Sequence, residues 1–146
     1  MRGDIMLSQK EIDELNDIND MGFNGAMNLR ITEASEDGYC EMVMDIGPEH
    51  LNPVGTVHGG AVFGLADTVG GFAIRAMGEF ACTTCTSTID YFSPTLNTAK
   101  LIGRAQVLKR GKRMSTVEVT IYNDKDKPVA KLLGRYANLD EAFRAK

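Results

Sequence analysis

The stretch Asn52-Pro53-Val54-Gly55-Thr56-Val57-His58-Gly59-Gly60-Ala61-Val62-Phe63-Gly64-Leu65-Ala66-Asp67 decides how this chain folds. A histidine and paired glycines open a helix predicted to run from about His58 to Met77. Ala61, Leu65, Val69, Phe72 and Ala76 line one face of it, while Val62, Phe63, Ala66, Gly70, Ala73 and Ile74 cover most of the rest. A helix that is apolar nearly all round is surrounded by protein. The run from Val57 to Ile74 is long enough to suggest a membrane span, but it holds His58, Asp67 and five glycines and lacks anchoring flanks. A buried helix is expected instead.

One carboxylate, Asp67, stands in the middle of that helix. It costs several kcal/mol of desolvation unless it is paired or hydrogen-bonded. At the helix start, the backbone N–H groups of Gly59 and Gly60 form a ready site for negative charge. The combination suits a base or nucleophile together with a stabiliser for the oxygen of a reacting carbonyl. A structural carboxylate bonded to a neighbouring strand is the competing reading for Asp67. His58 reads equally as a helix cap or a substrate contact, and Asn52 as a turn residue before Pro53 or a polar group of the site. Gly60 reads first as a site of close helix packing.

Outward from the central helix, Ser8-Gln9-Lys10-Glu11 is a capping box with Leu7 and Ile12 as its staple, so a helix is predicted over residues 8–20. Strands are predicted from Met27 to Ser35 and from Gly38 to Ile46, joined at Glu36-Asp37-Gly38. Four more follow, from Ala81 to Phe92, Ala99 to Lys109, Met114 to Asn123 and Pro128 to Asn138. The last three form an antiparallel meander, turning at Arg110-Gly111-Lys112-Arg113 and at Asn123-Asp124-Lys125-Asp126-Lys127. The fold class is α+β: six antiparallel strands curling around one helix bury all the apolar faces at once. Residues 1–146 read as a single domain.

Composition narrows the function. With 43% hydrophobic and 25% charged residues and a net charge of −4, the chain is an ordinary globular protein without a nucleic-acid footprint. Its opening Met1-Arg2-Gly3-Asp4-Ile5-Met6-Leu7 lacks the apolar core of a signal peptide. Three cysteines, Cys40, Cys82 and Cys85, make no disulfide framework, so reduced thiols and a cytoplasmic location are expected. Cys82 and Cys85 have the spacing of a metal or redox pair, but in a strand that spacing points them to opposite faces, and no second pair exists. No cofactor and no metal are expected. Neither a Gly-x-Ser-x-Gly elbow nor a phosphate-loop lysine motif occurs.

The pattern Asn52-Pro-x-Gly-x-x-His58-Gly59-Gly60-x-x-x-x-Leu65-Ala66-Asp67, followed by Asp90-Tyr91-Phe92-Ser93-Pro94, resembles the hotdog-fold acyl-CoA thioesterases, in particular their PaaI-like, phenylacetate-degradation branch. The resemblance runs from about residue 24 to 138. It implies a curved antiparallel sheet wrapped around the central helix, sheets joined edge to edge in a dimer, and dimers paired into a homotetramer. It implies hydrolysis of an acyl-CoA thioester. It makes Asp67 the catalytic carboxylate, Gly59 the N–H that polarises the carbonyl, and Asn52 and His58 polar residues shaping that end. Thr84 becomes the hydroxyl that orients water, once a one-residue gap is allowed. The resemblance also raises a phosphate-binding role for Arg110, Lys112 and Arg113, with Lys109 beside them; the bland reading is a solvated hairpin end.

Geometry adds a constraint. Eight residues of helix separate Gly59 from Asp67, about 12 Å of rise. One carbonyl cannot reach both groups on one straight helix. A two-fold axis pairing two such helices antiparallel brings Asp67 of one chain near Gly59 of the other, so a catalytic reading requires an oligomer. Gly64, Gly70 and Gly71 suggest room for the acyl group beside Phe63, Ile74 and Met77, or else close sheet packing. Two alternatives stay open: a hydratase or dehydratase using His58 with Asp67, and a non-catalytic acyl-CoA-binding module.

Overall fold

Capping, alternation and turn chemistry set most elements of this fold. A computed structural model describes residues 5–78 and 81–139. Residues Met1 to Asp4 of the opening stretch, and both ends of the 1–146 span, lie outside the described residues.

Helix α1 (Gln9–Asn19) starts where the capping residues predict: Ser8 Oγ accepts the Glu11 N–H at 3.2 Å. Strands β1 (Leu29–Ser35) and β2 (Tyr39–Asp45) form the expected hairpin. Helix α2 (Gly22–Ala26) and a single 3₁₀ turn (Pro48–His50) are additions that the sequence reading passed over. Both are single turns in glycine- or proline-bearing segments, too short for helical periodicity to register. Helix α3 (Gly59–Arg75) is the central helix. It ends two residues before the predicted Met77, where the Met77 and Gly78 N–H groups turn back to the Ile74 and Arg75 carbonyls at 3.1 Å. Strands β3 (Ala81–Tyr91), β4 (Lys100–Arg110), β5 (Met114–Tyr122) and β6 (Pro128–Leu139) complete the fold.

All six strands join one antiparallel sheet in the order β1-β2-β4-β5-β6-β3. The last three strands are the predicted meander, with β3 returning to pair outside β6. On β5 the pattern is strict: Ser115, Val117, Val119 and Ile121 are buried and the residues between them are half-buried. This alternation marks a sheet with one face on the core. The core side packs on α3, whose Leu65, Ala66, Val69, Ala73 and Ile74 are fully buried against Met42, Met44, Leu101, Leu132 and their neighbours. Gly103 permits this closeness, because a Cβ there would press on Val69, Ile121 and Leu65 at 3.1–3.3 Å.

The two sheet edges differ. At β1, Asn16 acts as a surrogate strand: its Nδ2 donates to the Ile31 carbonyl at 2.9 Å and its Oδ1 accepts the Ile31 N–H at 2.8 Å. Asn19 Nδ2 donates to the Leu29 carbonyl at 2.7 Å, and the Leu7 N–H donates to the Ala34 carbonyl at 2.9 Å. The edge is thus covered, as exposed strand edges require. At the other edge, the eleven residues of β3 are mostly exposed on both faces. Among the described residues, no helix is long and apolar enough to cross a membrane.

Candidate active site

Asp67 sits half-buried on the flank of α3 that faces β3. Its Oδ1 accepts from Thr84 Oγ1 at 2.6 Å, a charge-assisted hydrogen bond that fixes the carboxylate, and among the described residues no donor engages its second oxygen. Thr84 lies directly opposite Tyr136 on β6, so both side chains meet the helix at one level. The Tyr136 hydroxyl donates to the Asp67 backbone carbonyl at 2.8 Å. One cross-strand pair thereby holds both the side chain and the backbone of Asp67. Tyr136 is buried, and its phenol is pushed well above the usual range by burial first, then by Asp67 and Cys82. Gly70 makes this contact possible: a Cβ there would collide with the Tyr136 hydroxyl.

Asp67 and Thr84 share a cavity of about 300 Å³ with Asn24, Arg75, Cys82 and Tyr136. Burial pushes the Cys82 thiol up to about 11, with Asp67 adding to the rise while Arg75 and Arg110 oppose it. The cavity departs from the pocket expected beside Gly64, Gly70 and Gly71. Gly71 and Phe72 do line it. The Phe23 ring covers Gly64, Tyr136 occupies the space at Gly70, and Ile74 is in the core. Gly64 and Gly70 therefore serve close packing.

A bulge in β3 sets the orientation of these groups. Thr84 pairs with Tyr136 and Thr86 with Arg135, leaving Cys85 unopposed. Cys82 and Thr84 face the helix before it; Ser87, Ile89 and Tyr91 are the inward side chains after it. The extra residue switches the inward parity from even to odd numbers. Thr84 and Tyr91, an odd number of positions apart, can then both reach α3.

Tyr91 reaches the other end of the helix, donating its hydroxyl to the Gly59 carbonyl at 2.8 Å. Gly59 lies in a second cavity, of about 240 Å³, with Val57, Val62, Tyr91, Phe92 and Pro94. Asp67 and Gly59 thus belong to separate cavities on one chain. His58 is the helix cap: its Nδ1 accepts the Gly60 N–H at 2.8 Å. The expected pair of donors at the helix start is reduced accordingly, with Gly60 engaged and Gly59 contributing the N–H for which a helix has no internal acceptor. Gly60 is glycine for this cap rather than for helix packing, since a Cβ there would approach His58 Nδ1 to 2.9 Å.

Asn52 acts as a turn residue here. Its Oδ1 accepts the Val54 and Thr56 N–H groups, each at 3.1 Å, and its Nδ2 donates to Thr56 Oγ1 at 2.7 Å. His50, which sequence reasoning passed over, anchors the same loop from inside. It is fully buried; Nδ1 accepts the Gly47 N–H at 2.8 Å and Nε2 donates to the Met27 carbonyl at 2.9 Å. Glu49 lies 3.6 Å from Nδ1, but that nitrogen already accepts a hydrogen bond from the Gly47 N–H and so carries no proton to share with the carboxylate. The His50 carbonyl accepts the His58 N–H at 2.7 Å, tying the loop to the helix start.

The basic cluster divides. Lys109, Lys112 and Arg113 are exposed near the tip of the β4–β5 hairpin, which Asn138 Nδ2 braces through the Gly111 and Lys112 carbonyls. Arg110 is half-buried, and its charge acts on the Cys82 thiol. Cys82 and Cys85 likewise separate into a cavity-lining and an exposed residue.

A sheet wrapped around a central helix, with a carboxylate and a glycine helix start in separate cavities, defines the class as a hotdog-fold protein. The model of the thioesterase superfamily matches residues 54–130, and the chain belongs to that superfamily, in its PaaI-like branch. Among its relatives is the acyl-coenzyme A thioesterase PaaI of Escherichia coli, 31% identical over 68% of this chain and 71% of that protein. The structure of E. coli PaaI, from the phenylacetic acid degradation operon, superposes with a TM-score of 0.80 at 26% identity, over 90% of this chain and 93% of that one. A protein of Streptococcus mutans bound to acetyl CoA has a TM-score of 0.70 at 26% identity, over 77% and 89% of the two chains.

Proposed function

We propose that this thioesterase hydrolyses acyl-CoA thioesters at two sites, each shared by two subunits. The observation that carries the reading is the division of the machinery between two cavities, Asp67 with Thr84 in one and the Gly59 helix start in the other. Asp67 of one subunit acts as base or nucleophile, held in line by Thr84. The Gly59 N–H of the second subunit, aided by the helix dipole, stabilises the oxygen of the attacked carbonyl. The C–S bond then breaks, water supplies the acid's new oxygen, and its proton leaves with the CoA thiol. Asn52 and His58 support this end by building the loop and the cap that set Gly59.

The open edge at β3 supports the dimer, with Tyr91 and Phe92 at its end 52% and 55% exposed. Two dimers form the homotetramer. The CoA phosphates meet the exposed Lys112 and Arg113, with Arg110 closer to the thioester. The acyl-CoA ligand is supported by the acetyl-CoA bound to the S. mutans neighbour. Three free cysteines fit a reducing, cytoplasmic setting. The hydratase alternative needs His58 and Asp67 together, yet His58 Nδ1 is engaged by the helix cap.

Asp67→Asn tests the mechanism. It keeps the shape and hydrogen-bonding capacity of the side chain but removes the base, so kcat for thiol release should fall by roughly 10²–10⁴ with the elution volume unchanged. Turnover within tenfold of the parent would exclude Asp67 as the reacting group.

A further inference from the structure

We infer that the Asp67 cavity selects acyl groups ending in a carboxylate, and that Arg75 is the residue that binds this distal charge. The inference rests on Asp67 as the reacting group. Arg75 lines the same cavity two turns further along α3, about 12 Å of helical rise from Asp67. Polar side chains are frequent in this wall: Asn24, Thr68, Thr84 and Tyr136 accompany the two charged residues. Thr84 and Tyr136 are engaged with Asp67, and Thr68 with Asn24, so Arg75 is the charged group of the wall that an apolar acyl tail would desolvate without a partner. Among the described residues, no carboxylate lies within ion-pair distance of Arg75. Glu11, Glu14 and Glu36 line the neighbouring groove that Arg75 also borders, but stand beyond that distance. Arg110, outside the lining, adds a second positive charge whose influence, like that of Arg75, reaches Cys82. The cavity thus carries the Asp67 carboxylate where the thioester reacts and the Arg75 guanidinium two turns further along its wall. Arg75 lines this open-sided cavity, and a planar guanidinium suits a carboxylate through paired hydrogen bonds. The volume of about 300 Å³ holds an acyl tail but not coenzyme A.

The test compares adipoyl- and suberoyl-CoA with hexanoyl- and octanoyl-CoA, matched in length. The parent enzyme should favour the carboxylated member of at least one pair by roughly 10–100-fold in kcat/KM. Arg75→Met should bring that ratio close to one, and Arg75→Lys should retain part of it; unchanged circular dichroism and elution volume establish that both variants fold. A ratio near one in the parent, or an undiminished ratio in Arg75→Met, overturns the inference. The same acids as N-acetylcysteamine thioesters, which lack phosphates, should keep the preference. If Arg75→Met instead weakens every CoA substrate alike and leaves the N-acetylcysteamine thioesters untouched, Arg75 binds a coenzyme phosphate and the inference fails. Calorimetry with non-hydrolysable ω-carboxyalkyl- and alkyl-CoA thioethers reads the preference without turnover. Equal affinity there overturns the role of Arg75, whereas retained selectivity with an active Asp67→Asn enzyme overturns only the assignment of Asp67.

Discussion

Replacing Gly59 by proline removes one backbone N–H and little else. Gly59 is the first residue of α3, following the His58 cap, and proline is well tolerated at that position because the missing N–H has no intrahelical acceptor. Proline also demands an extended residue before it, and His58 already has φ −59° and ψ 136°. A Cβ at Gly59 finds its nearest neighbour, the Tyr91 hydroxyl, at 3.5 Å, an ordinary contact. The cap from His58 to the Gly60 N–H and the bond from Tyr91 to the Gly59 carbonyl involve neither the lost proton nor the added ring. Loss of one oxyanion donor costs about 2.7–4 kcal/mol of transition-state stabilisation, or roughly 10²–10³ in kcat. Thiol release from an acyl-CoA should fall by that factor while the thermal midpoint changes little. Gly59→Ala, which keeps the N–H, should lose less. Mixing then tests the sharing of sites. Asp67→Asn and Gly59→Pro subunits, refolded together, form heterodimers in which one site carries both lesions and the other carries neither. Half of the dimers then have half of their sites intact, and roughly one quarter of the parent activity should return. A Gly59→Pro enzyme within tenfold of the parent would remove the oxyanion role. A mixture that contains heterodimers and stays inactive would refute the shared site.

Gly70→Ala should destabilise the fold by about 2–4 kcal/mol in urea unfolding, because the new methyl displaces a buried tyrosine and strands its hydroxyl. Adding Tyr136→Phe should recover part of the loss; a neutral Gly70→Ala would show that Tyr136 does not need the close approach. With its thiol pushed up to about 11, Cys82 is thiolate in only on the order of 10⁻³ of molecules at pH 8. Its alkylation rate, followed by peptide mass spectrometry, should keep rising tenfold per pH unit up to pH 10; a plateau near pH 8 would contradict the burial of this thiol beside Asp67.

The readable parts of this chain were those governed by local rules. Ser8 and Glu11 announce α1 because a side-chain cap is a contact across three residues. The apolar circumference of α3 and the alternation of β5 announce one helix inside one sheet, because burial has a period. Asp67 stood out as an energetic exception within the helix, and the division from Gly59 followed from helical rise alone. Other features depend on pairing between distant strands. That Tyr136 faces Asp67, or that His50 is sealed beneath the loop, depends on register and loop path rather than on a local motif. The roles of His58 and Asn52 stayed divided for a related reason: a capping histidine and a turn asparagine are the same residue types that a polar site would use. Their hydrogen bonds, and not their spacing, separate the readings.

The β3 bulge is where local pattern and function part most clearly. Strict alternation from Thr84 would turn Tyr91 away from the helix, and strict alternation back from Tyr91 would turn Thr84 away from Asp67. The unopposed Cys85 lets one strand hold both ends of α3, through Thr84 at the carboxylate and Tyr91 at the glycine. That strand is also the open edge of the sheet. If a second subunit pairs along it, the contact that forms the dimer orders the same backbone that positions Asp67 and Gly59. Assembly and alignment of the two half-sites would then be a single event, and a bulge that looks like an irregularity in the ladder would be the feature that makes both possible on one strand.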